Sequence, residues 1–575
     1  MKRYWKYIRP YIQYYILGPC FMMMEVVGDV LLPYMLAKII NQGIAERNVV
    51  YIIKIGVIMG FIAVIMAVGG VFGAWFASKA AMNFGADLRM DLFEKIQQFS
   101  FQNIDNFSTG SLITRLTNDI TQIQNMIMMT LRMCLRSPGI LIGAMVMAFV
   151  ISPKLAAIFI IVLPVLAVLI VVIMRRAFPQ FRTLQEKLDA LNSCIQEGLV
   201  GIRLIKSFVR GDYEEMRFEK RNQQLKEANL TAMKTMLLYT PLMTLALNIT
   251  TVVVVWSGGN MIVAGNMQVG DLTAFTNYIV QIMSSLTMLS IAFLNWARAI
   301  ASFRRVGEVL DEKIDLTDEN AKHKDRAVCE GSVEFQNVSF RYYKNSPEWV
   351  IENISFKLEA GKTIGIIGST GSGKSTLVSM IPRLYDTDEG TVLVDGINVR
   401  DYGLKPLREG IGMVLQNNTL FSGSITENLK WGDEHADEKA VRKAAQNAQA
   451  AGFIDSFKDG YRTRLEQSGN NVSGGQKQRL CIARALLKCP KILILDDSTS
   501  AVDTATERAI REALHSEYKD MTKIIIAQRI RSVMDADEIL VLDNGKTAGF
   551  GTHEQLLADC PVYREIYDVQ NGREE

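Results

Sequence analysis

The sequence predicts a bundle of membrane-spanning α-helices followed by a separate α/β domain. Residues 1–310 contain six long apolar segments, and a helix of about 20 apolar residues is enough to cross a bilayer. Of the 575 residues, 49% are hydrophobic and 21% are charged, a balance that fits a membrane half joined to a water-exposed half. Residues 331–575 alternate strand-like and helix-like runs, which is typical of an α/β domain.

The apolar segments predict six transmembrane helices, which lie near 14–42, 52–78, 122–151, 155–174, 236–264 and 270–300. An even number of crossings leaves both chain ends on one side of the membrane. The connection 175–234 on that side is rich in cations such as Arg175, Arg176 and Lys187, and this excess is typical of cytoplasmic loops. We therefore expect a multi-pass protein of the plasma membrane, with its N-terminus and C-terminal domain in the cytoplasm.

The first ten residues mix Lys and Arg with Tyr and Trp. This composition predicts a short helix in the membrane interface, although a frayed cationic tail is the simpler alternative. We expect no signal peptide, because a short apolar core with a cleavage site is missing.

The cytoplasmic connections 79–121 and 175–235 are long, yet they keep helical periodicity and contain few helix breakers. Structureless loops of that length are uncommon, so the membrane helices are expected to extend into the cytoplasm and turn there. Residues 101–108 and 202–212, at the turns, are expected to contact another domain.

Two pairs of charged residues lie in the interior of predicted spans. Glu25 and Asp29 lie four positions apart in the first span and share a helix face, as do Arg132 and Arg136 in the third. Charges within a membrane face a partner or a wet cavity. Two alternatives follow: ion pairs between packed helices, or a substrate cavity in which Glu25 or Asp29 meets a cationic compound.

Composition excludes several other classes of function. The net charge is only +3, which gives no support for nucleic-acid binding. The seven cysteines are scattered without a CxxC pair, so neither a disulfide framework nor a zinc site is expected.

Residues 311–330 are polar and charged and predict a linker between the transmembrane domain, 1–310, and the α/β domain, 331–575.

A phosphate-binding loop follows the predicted strand 363–367. Glycines in such a loop let backbone N–H groups close around phosphate oxygens, and the strand, loop and helix context is the one that confirms the motif. Lys374 is expected to reach the β- and γ-phosphates, and Ser375 and Asp496 to hold Mg²⁺. The loop consists of Gly368, Ser369, Thr370, Gly371, Ser372, Gly373, Lys374, Ser375 and Thr376.

A second anion-binding turn lies about a hundred residues further on. It consists of Ser473, Gly474, Gly475 and Gln476, directly before an apolar helix. One nucleotide cannot use both turns of a single chain at such a distance in sequence. Two copies of the domain are therefore expected to meet.

These motifs identify the chain as similar to the ABC transporter superfamily, and its six spans with one nucleotide-binding domain resemble an exporter half-transporter. The resemblance implies head-to-tail dimers in which each phosphate loop faces the partner's Ser473–Gln476 signature. It implies that Tyr342 stacks on adenine and that Gln416 contacts Mg²⁺ and the membrane domain. Ser500 and Asp503 match the loop that crosses the dimer interface. Residues 101–108 and 202–212 match the coupling helices.

Two residues depart from the family pattern beside the γ-phosphate. Asp497 stands where the family has the glutamate that acts as general base, and Gln528 stands where it has the switch histidine. Asp497 is one methylene shorter, and misplacing a reacting group by about 1 Å costs on the order of a hundredfold in rate. Gln528 can donate a hydrogen bond but cannot become an imidazolium. We therefore expect a degenerate site that binds ATP and Mg²⁺ but hydrolyses ATP poorly.

The signature, in contrast, is intact. The sequence thus resembles the degenerate subunit of heterodimeric bacterial multidrug ABC exporters. The expected function is ATP-driven export of hydrophobic or amphipathic compounds, drugs foremost, by alternating access with a competent partner subunit. Alternatives are a lipid or peptide exporter, a homodimeric exporter, and a nucleotide-gated regulatory or channel subunit.

Overall fold

The computed structural model describes residues 2–344 and 346–572. The chain forms two compact units. The first unit comprises Met1–Gln97 and Thr109–Asp311, and the second comprises Gln98–Ser108 and Glu312–Glu575. The first is helical and the second is a mixed α/β domain, as the sequence predicts.

The first unit is built from long helices joined by short turns. Several helices are much longer than a bilayer needs; the helix Val49–Gln97, for example, has 49 residues, about 73 Å at 1.5 Å per residue. The predicted extension of membrane helices beyond the bilayer is therefore confirmed. The helical segments are Lys2–Tyr4, Trp5–Ile8, Arg9–Tyr11, Ile12–Lys38, Ile39–Ile44, Val49–Gln97, Thr109–Thr114, Arg115–Asp119, Ile120–Met133, Arg136–Ile151, Pro153–Val200, Ile202–Ser207, Gly211–Leu237, Tyr239–Val263 and Val269–Asp311.

Five helical stretches within the described residues are long and apolar enough to cross a membrane. They are Trp5–Ile44, Val49–Gln97, Thr109–Ile151, Pro153–Val200 and Gly211–Val263. The sixth predicted span, 270–300, lies on the helix Val269–Asp311. Its side chains at 290, 291, 293–295, 297 and 298 lie outside the described residues, and six crossings stay a prediction.

The N-terminal segment consists of short helical turns that pack on other helices of the first unit. Tyr4 Oη donates to the carbonyl of Phe303 at 3.1 Å, and Tyr7 Oη donates to Asp91 Oδ2 at 2.8 Å. Lys6 forms an ion pair with Asp91. These contacts anchor the segment, so the frayed-tail alternative is wrong.

The strands of the second unit form two main sheets. The strands are β1 (Val333–Phe340), β2 (Ile351–Leu358), β3 (Thr363–Gly368), β4 (Glu389–Val394), β5 (Ile397–Asn398), β6 (Ile411–Val414), β7 (Gly423–Ser424), β8 (Arg464–Leu465), β9 (Ile492–Asp496), β10 (Thr522–Ile526), β11 (Glu538–Asp543) and β12 (Lys546–Gly551). One main sheet has six strands in the order β12-β11-β3-β10-β9-β6, and the other has four in the order β2-β1-β4-β5. Strands β7 and β8 form a separate short pair.

Helices surround these sheets. The ones that matter for the site follow β3, the signature and β9. The helical segments are Phe101–Asp105, Lys374–Ser379, Val399–Asp401, Leu404–Glu409, Ile425–Leu429, Glu438–Asn447, Ala451–Ser456, Gly460–Arg462, Gln467–Gly469, Gly474–Leu487, Thr504–Glu517, Ile530–Ser532, His553–Asp559 and Pro561–Asn571.

Parallel pairing in the six-stranded sheet decides where the motifs meet. Strand β10 pairs in parallel with both β3 and β9, and Ile526 lies opposite Ile366 on one side and Asp496 on the other. The middle of the sheet is apolar and fully buried at Ile364, Ile494 and Ile524, as expected for strands covered on both faces. The carboxyl ends of β3, β9 and β10 therefore share one edge, where open α/β sheets bind their ligands.

The segment Gln98–Ser108 belongs to the second unit although it lies between residues of the first. Its helix Phe101–Asp105 begins with a capping box at Ser100. Asn103 Nδ2 donates to the carbonyl of Lys313 at 2.9 Å, and Tyr385 Oη donates to Asp105 Oδ2 at 3.0 Å. The predicted contact of residues 101–108 with another domain is thus present. The second predicted contact segment contains the helix Ile202–Ser207 and remains in the first unit.

The segment 312–330 differs from a free linker. Leu316 and Ala321 are buried, and the backbone N–H of His323 donates to the carbonyl of Asp401 at 2.7 Å. The apolar residues and the backbone hydrogen bond hold the segment on the second unit, and its role as the linker between the two domains stays a prediction.

Candidate nucleotide-binding site

The phosphate loop forms because β3 is a buried apolar strand that ends at Gly368, and a short helix begins at Lys374. Gly373 precedes that helix with φ of +89°, a conformation that glycine adopts without strain. A Cβ atom at this position would lie 2.6 Å from Ile351 Cγ2 and 2.9 Å from the carbonyl oxygen of Val350. Any larger residue would therefore clash here, which explains the glycine at this position of the loop in physical terms.

A cavity of about 290 Å³ opens over this loop at the carboxyl ends of β3, β9 and β10. The predicted phosphate loop, the two adjacent aspartates and the two glutamines of the sequence analysis meet in it. The lining residues are Val350, Thr370, Gly371, Gly373, Lys374, Ser375, Thr376, Gln416, Asp496, Asp497, Ile526 and Gln528.

Ser375 and Asp496 adjoin at the base of the cavity. Ser375 Oγ donates to Asp496 Oδ1 at 2.9 Å, and Asp496 is only 4% exposed. Burial raises the pKa of Asp496, and the neighbouring Asp497 carboxylate raises it further, whereas the Ser375 hydrogen bond and the Lys374 charge lower it. A divalent cation would offset this concentration of negative charge. The hydroxyl, the carboxylate and the nearby Gln416 amide are oxygen ligands of the kind Mg²⁺ prefers.

Lys374 supplies the positive charge of the site. Its Nζ donates to the carbonyls of Gly368 at 2.9 Å and Ser369 at 2.7 Å. Burial lowers its pKa, and Asp496 and Asp497 oppose that shift. The ammonium is held at the loop, where it can bind phosphate oxygens as a point charge.

Asp497 and Gln528 contact each other directly. Gln528 Nε2 donates to Asp497 Oδ2 at 2.9 Å, and the Asp497 backbone N–H donates to the carbonyl of Ile526 at 3.1 Å. Burial raises the pKa of Asp497, and the Gln528 hydrogen bond lowers it. The two departures from the family pattern are therefore adjacent at the wall of one cavity.

Tyr342 lies beside the loop. Its hydroxyl is 2.9 Å from Thr376 Oγ1, and its ring stands edge-on to Phe340 and Tyr385 at centroid distances of 5.1 and 5.3 Å. The residue is 37% exposed and does not line the cavity described above. Adenine stacking on Tyr342 stays a prediction.

The signature turn is preformed. Ser473 caps the helix Gly474–Leu487 through a capping box, in which Ser473 Oγ accepts from the Gln476 N–H at 3.3 Å and Gln476 Oε1 accepts from the Ser473 N–H at 2.9 Å. Ser473 and Gly474 are exposed. They do not line the cavity of their own chain described above, so a nucleotide bound there would leave this turn free for another domain.

Sequence reasoning missed Gln478. It is 5% exposed, its Nε2 donates to Ser500 Oγ at 3.2 Å, and its Oε1 accepts from the Ala501 N–H at 3.0 Å. Gln478 thus holds the loop 500–503, the predicted interface loop, on the signature helix Gly474–Leu487. Two features of the sequence point to it: it follows the signature by two residues, and it is a polar residue among the buried apolar ones of that helix.

The interface loop is closed at both ends by local hydrogen bonds. Ser500 Oγ donates to the carbonyl of Asp497 at 3.0 Å, and Asp503 Oδ1 accepts from the Thr506 N–H at 3.0 Å and caps the helix Thr504–Glu517. A Cβ atom on Gly475 would lie 2.7 Å from the carbonyl oxygen of Ala501. The glycine of the signature therefore allows the loop and the helix to approach closely.

These residues fit a nucleotide with its magnesium ion. The loop amides, Lys374 and Thr376 would hold the phosphates, and Ser375, Gln416 and Asp496 would hold the metal ion. When bound, the metal ion would neutralise phosphate charge and orient the γ-phosphate for attack by water. Asp497 and Gln528 are the residues of this chain that would hold a water molecule or a γ-phosphate oxygen at that end of the cavity.

In the first unit, Glu25, Asp29 and Arg136 form one cluster of charges within the predicted spans. Arg136 Nη2 lies 2.8 Å from Glu25 Oε1 and 3.4 Å from Asp29 Oδ2. Both acids share this one arginine, whereas the sequence predicts ion pairs for both Arg132 and Arg136. A role of Glu25 and Asp29 in a substrate cavity stays a prediction.

Comparisons with known proteins agree with this fold and site. The ABC transporter transmembrane region family matches residues 15–286, and the ABC transporter family matches residues 351–500. The chain is 39% identical over 574 residues to "Uncharacterized ABC transporter ATP-binding protein YfiB" of Bacillus subtilis (strain 168), covering 100% of this chain and 99% of that protein. It is 33% identical over 588 residues to "Putative multidrug export ATP-binding/permease protein YgaD" of the same organism, covering 99% of each.

A solved structure of a bacterial Atm1-family ABC exporter with ATP bound has the same fold, with a TM-score of 0.79 and 24% identity over 98% of each chain. ABC exporters work as dimers in the membrane, and their nucleotide-binding domains hydrolyse ATP. The continuous match through both units, together with the phosphate loop, Asp496 and the signature turn, shows that this chain belongs to the ABC transporter family as an exporter half-transporter.

Proposed function

We propose that this chain is the catalytically impaired subunit of a heterodimeric exporter that moves hydrophobic or amphipathic compounds out of the cytoplasm. Its own phosphate loop would bind ATP and Mg²⁺ and hydrolyse ATP slowly. Its signature, Ser473–Gln476, would complete the site of a competent partner. Both chain ends and the nucleotide-binding domain would face the cytoplasm.

The contact between Asp497 and Gln528 carries this proposal. One Asp497 oxygen accepts the Gln528 amide at 2.9 Å, so part of the carboxylate is already engaged. The raised pKa of Asp497 strengthens it as a base, and basicity is therefore not what limits the site. The length of the Asp497 side chain limits the rate of hydrolysis instead. The side chain is one methylene shorter than glutamate, and misplacing a reacting group by about 1 Å costs on the order of a hundredfold in rate.

The contrast with the intact signature supports two different subunits. A homodimer would contain two impaired sites, and its preformed signature turns would serve neither well. With a competent partner, the exposed Ser473 turn would serve a fast site while the impaired site stays closed on its ATP. The bundle would then change between inward-open and outward-open states with each turnover at the fast site.

Support for the class of substrate is of two kinds. A relative that aligns over nearly the whole chain is named for multidrug export. The cluster of Glu25, Asp29 and Arg136 has one more negative than positive charge, which would favour cationic amphipathic compounds. ATP-dependent accumulation of a fluorescent cationic dye in inside-out vesicles would support export, and nucleotide binding without accumulation would favour a regulatory or channel subunit.

The decisive experiment restores both departures in the chain purified alone. We expect Asp497→Glu with Gln528→His to raise ATP turnover at least about tenfold over the unmodified chain, because reach and the imidazole return together. Adding Lys374→Ala to the double variant is the matched control, and it should abolish the gain. The proposal fails if the unmodified chain alone already turns over ATP as fast as the complex with its partner.

Co-purification from native membranes tests the partner. A second half-transporter in the preparation supports the heterodimer. A preparation that contains this chain alone and still transports contradicts it.

A further inference from the structure

A second cavity in the nucleotide-binding domain lies at the opposite edge of the six-stranded sheet, where the parallel strands begin. It has a volume of about 610 Å³. Thr363 and Lys523 lie in it at the starts of β3 and β10, and Lys491 and Asp537 lie in it just before β9 and β11. Strands β9 and β10 have five residues each, about 17 Å, so this cavity is separate from the nucleotide site at their other ends.

Lysine side chains converge in this cavity. Lys362, Lys491, Lys519 and Lys523 line it together with His515, against the acids Glu330, Asp520 and Asp537. Both carboxylate oxygens of Asp537 already have partners. Its Oδ1 lies 3.2 Å from Lys362 Nζ, and its Oδ2 accepts from the Thr363 N–H at 2.8 Å. The remaining three lysines outnumber the remaining two acids.

Lys523 is the unusual member. It is 5% exposed and sits on a strand whose neighbours Ile524 and Ile526 are core residues. Among the residues that the structure describes, its ammonium has no hydrogen-bond or ion-pair partner. Burial lowers the pKa of Lys523, against the attraction of Asp537 and Asp520. The buried part of Lys523 is therefore its aliphatic stem, whereas the ammonium reaches the solvent of the cavity. There it is placed to bind an anion together with the other lysines.

The residue types that line the cavity indicate which class of anion it would bind. Lysine binds phosphate groups as a point charge, and the volume falls in the ordinary range for small-molecule sites. The lining contains no Phe, Tyr or Trp among the described residues, and thus no platform on which a nucleobase would stack. We propose that this cavity binds a compact oligophosphate, with Lys523 at its base and Lys491 and Lys519 at its rim. This inference does not depend on the proposed heterodimer.

The test uses the full-length Lys374→Ala protein in detergent micelles, in which the phosphate loop has lost its ammonium and binds the probe more weakly, and Lys523→Met then shows which binding belongs to the second cavity. Inorganic tripolyphosphate is titrated calorimetrically at constant ionic strength. We expect saturable binding of one tripolyphosphate per chain. Lys523→Met in the same background should weaken this binding at least about tenfold, because charge-assisted hydrogen bonds are lost. Lys519→Gln, at an exposed position that does not endanger folding, should weaken it about threefold.

Lys546→Gln is the matched control. Lys546 is an exposed lysine of the same sheet that pairs with Glu352 at 3.2 Å outside the cavity, and its removal should leave the affinity unchanged. The proposal is overturned if the Lys374→Ala protein shows no saturable binding, or if both Lys523→Met and Lys519→Gln leave the affinity unchanged. Citrate is the comparison ligand, and citrate binding as tight as that of tripolyphosphate would overturn the assignment to phosphate.

Discussion

Asp497 combines an unusual backbone with an unusual side chain. Its φ is +47°, in the left-handed region that costs a residue other than glycine about 1–2 kcal/mol. The surrounding structure holds this conformation, because the Asp497 N–H donates to Ile526 and its carbonyl accepts from Ser500 Oγ. Backbone strain of this kind is concentrated at functional sites. The strain places the Asp497 carboxylate over the phosphate loop, close to Asp496.

The pKa values of Asp496 and Asp497 lead to a prediction about stability and pH. Both are raised above 3.8, mainly by burial, so the folded protein holds these protons more tightly than the unfolded chain. The stabilisation is fully present below 3.8 and is lost as the pH rises through the raised pKa. We expect Asp497→Asn to raise the melting temperature of the nucleotide-free protein at pH 7 and to flatten the fall of the melting temperature as the pH rises above 3.8.

Differential scanning fluorimetry across that range measures this effect. Asp559→Asn, which changes an exposed carboxylate of the same domain, is the control and should leave the profile unchanged. A profile for Asp497→Asn that parallels the unmodified protein would contradict the prediction.

Among the elements, the signature helix and the interface loop act as one piece. Gln478 binds Ser500 Oγ and the Ala501 N–H from a buried position, and Gly475 allows their close contact. An unsatisfied buried polar group costs about 1–3 kcal/mol, so loss of the Gln478 amide should free the loop from the helix. In the proposed dimer, a displaced signature would misplace the groups that contact the partner's phosphates, and the rate of hydrolysis depends on that geometry.

We therefore expect Gln478→Leu to lower ATP turnover of the assembled dimer by about tenfold and to speed hydrogen exchange at the Ala501 amide. Lys477→Gln, at the preceding position, is the matched control. Unchanged exchange at Ala501 would show that Gln478 does not hold the loop.

At the scale of the whole molecule, the number of crossings decides how the chain sits in the membrane. The turn between the helices Tyr239–Val263 and Val269–Asp311 contains Gly265, where an added Cβ would meet open space. Exposed turns of small residues tolerate insertions. The predicted six crossings with a cytoplasmic N-terminus would place this turn outside the cell and the nucleotide-binding domain inside.

An epitope inserted after Gly265 should thus be accessible to antibody on intact cells, and a C-terminal epitope should become accessible only after permeabilisation. Retained ATP binding by the protein that carries the epitope is the control for correct folding. A C-terminal epitope that is accessible on intact cells would contradict six crossings.

The sequence alone determined the two-part fold and most of the nucleotide site. Long apolar segments and period-two strands are local signals, and the phosphate loop and the signature turn are contiguous motifs whose chemistry is written in adjacent residues. Asp497 and Gln528 were also visible as departures, because the residue types expected at those positions are known from the resemblance.

Tertiary structure decided which distant residues meet. Parallel pairing of β3, β10 and β9 brings Gln528 within hydrogen-bond distance of Asp497 and gathers lysines at the other end of the same strands. The docking of helix Phe101–Asp105, the burial of segment 312–330 and the loop contact of Gln478 depend likewise on partners far away in sequence. No local pattern encodes such contacts, because a hydrogen bond or an ion pair is set by the packing of the elements that carry its two halves.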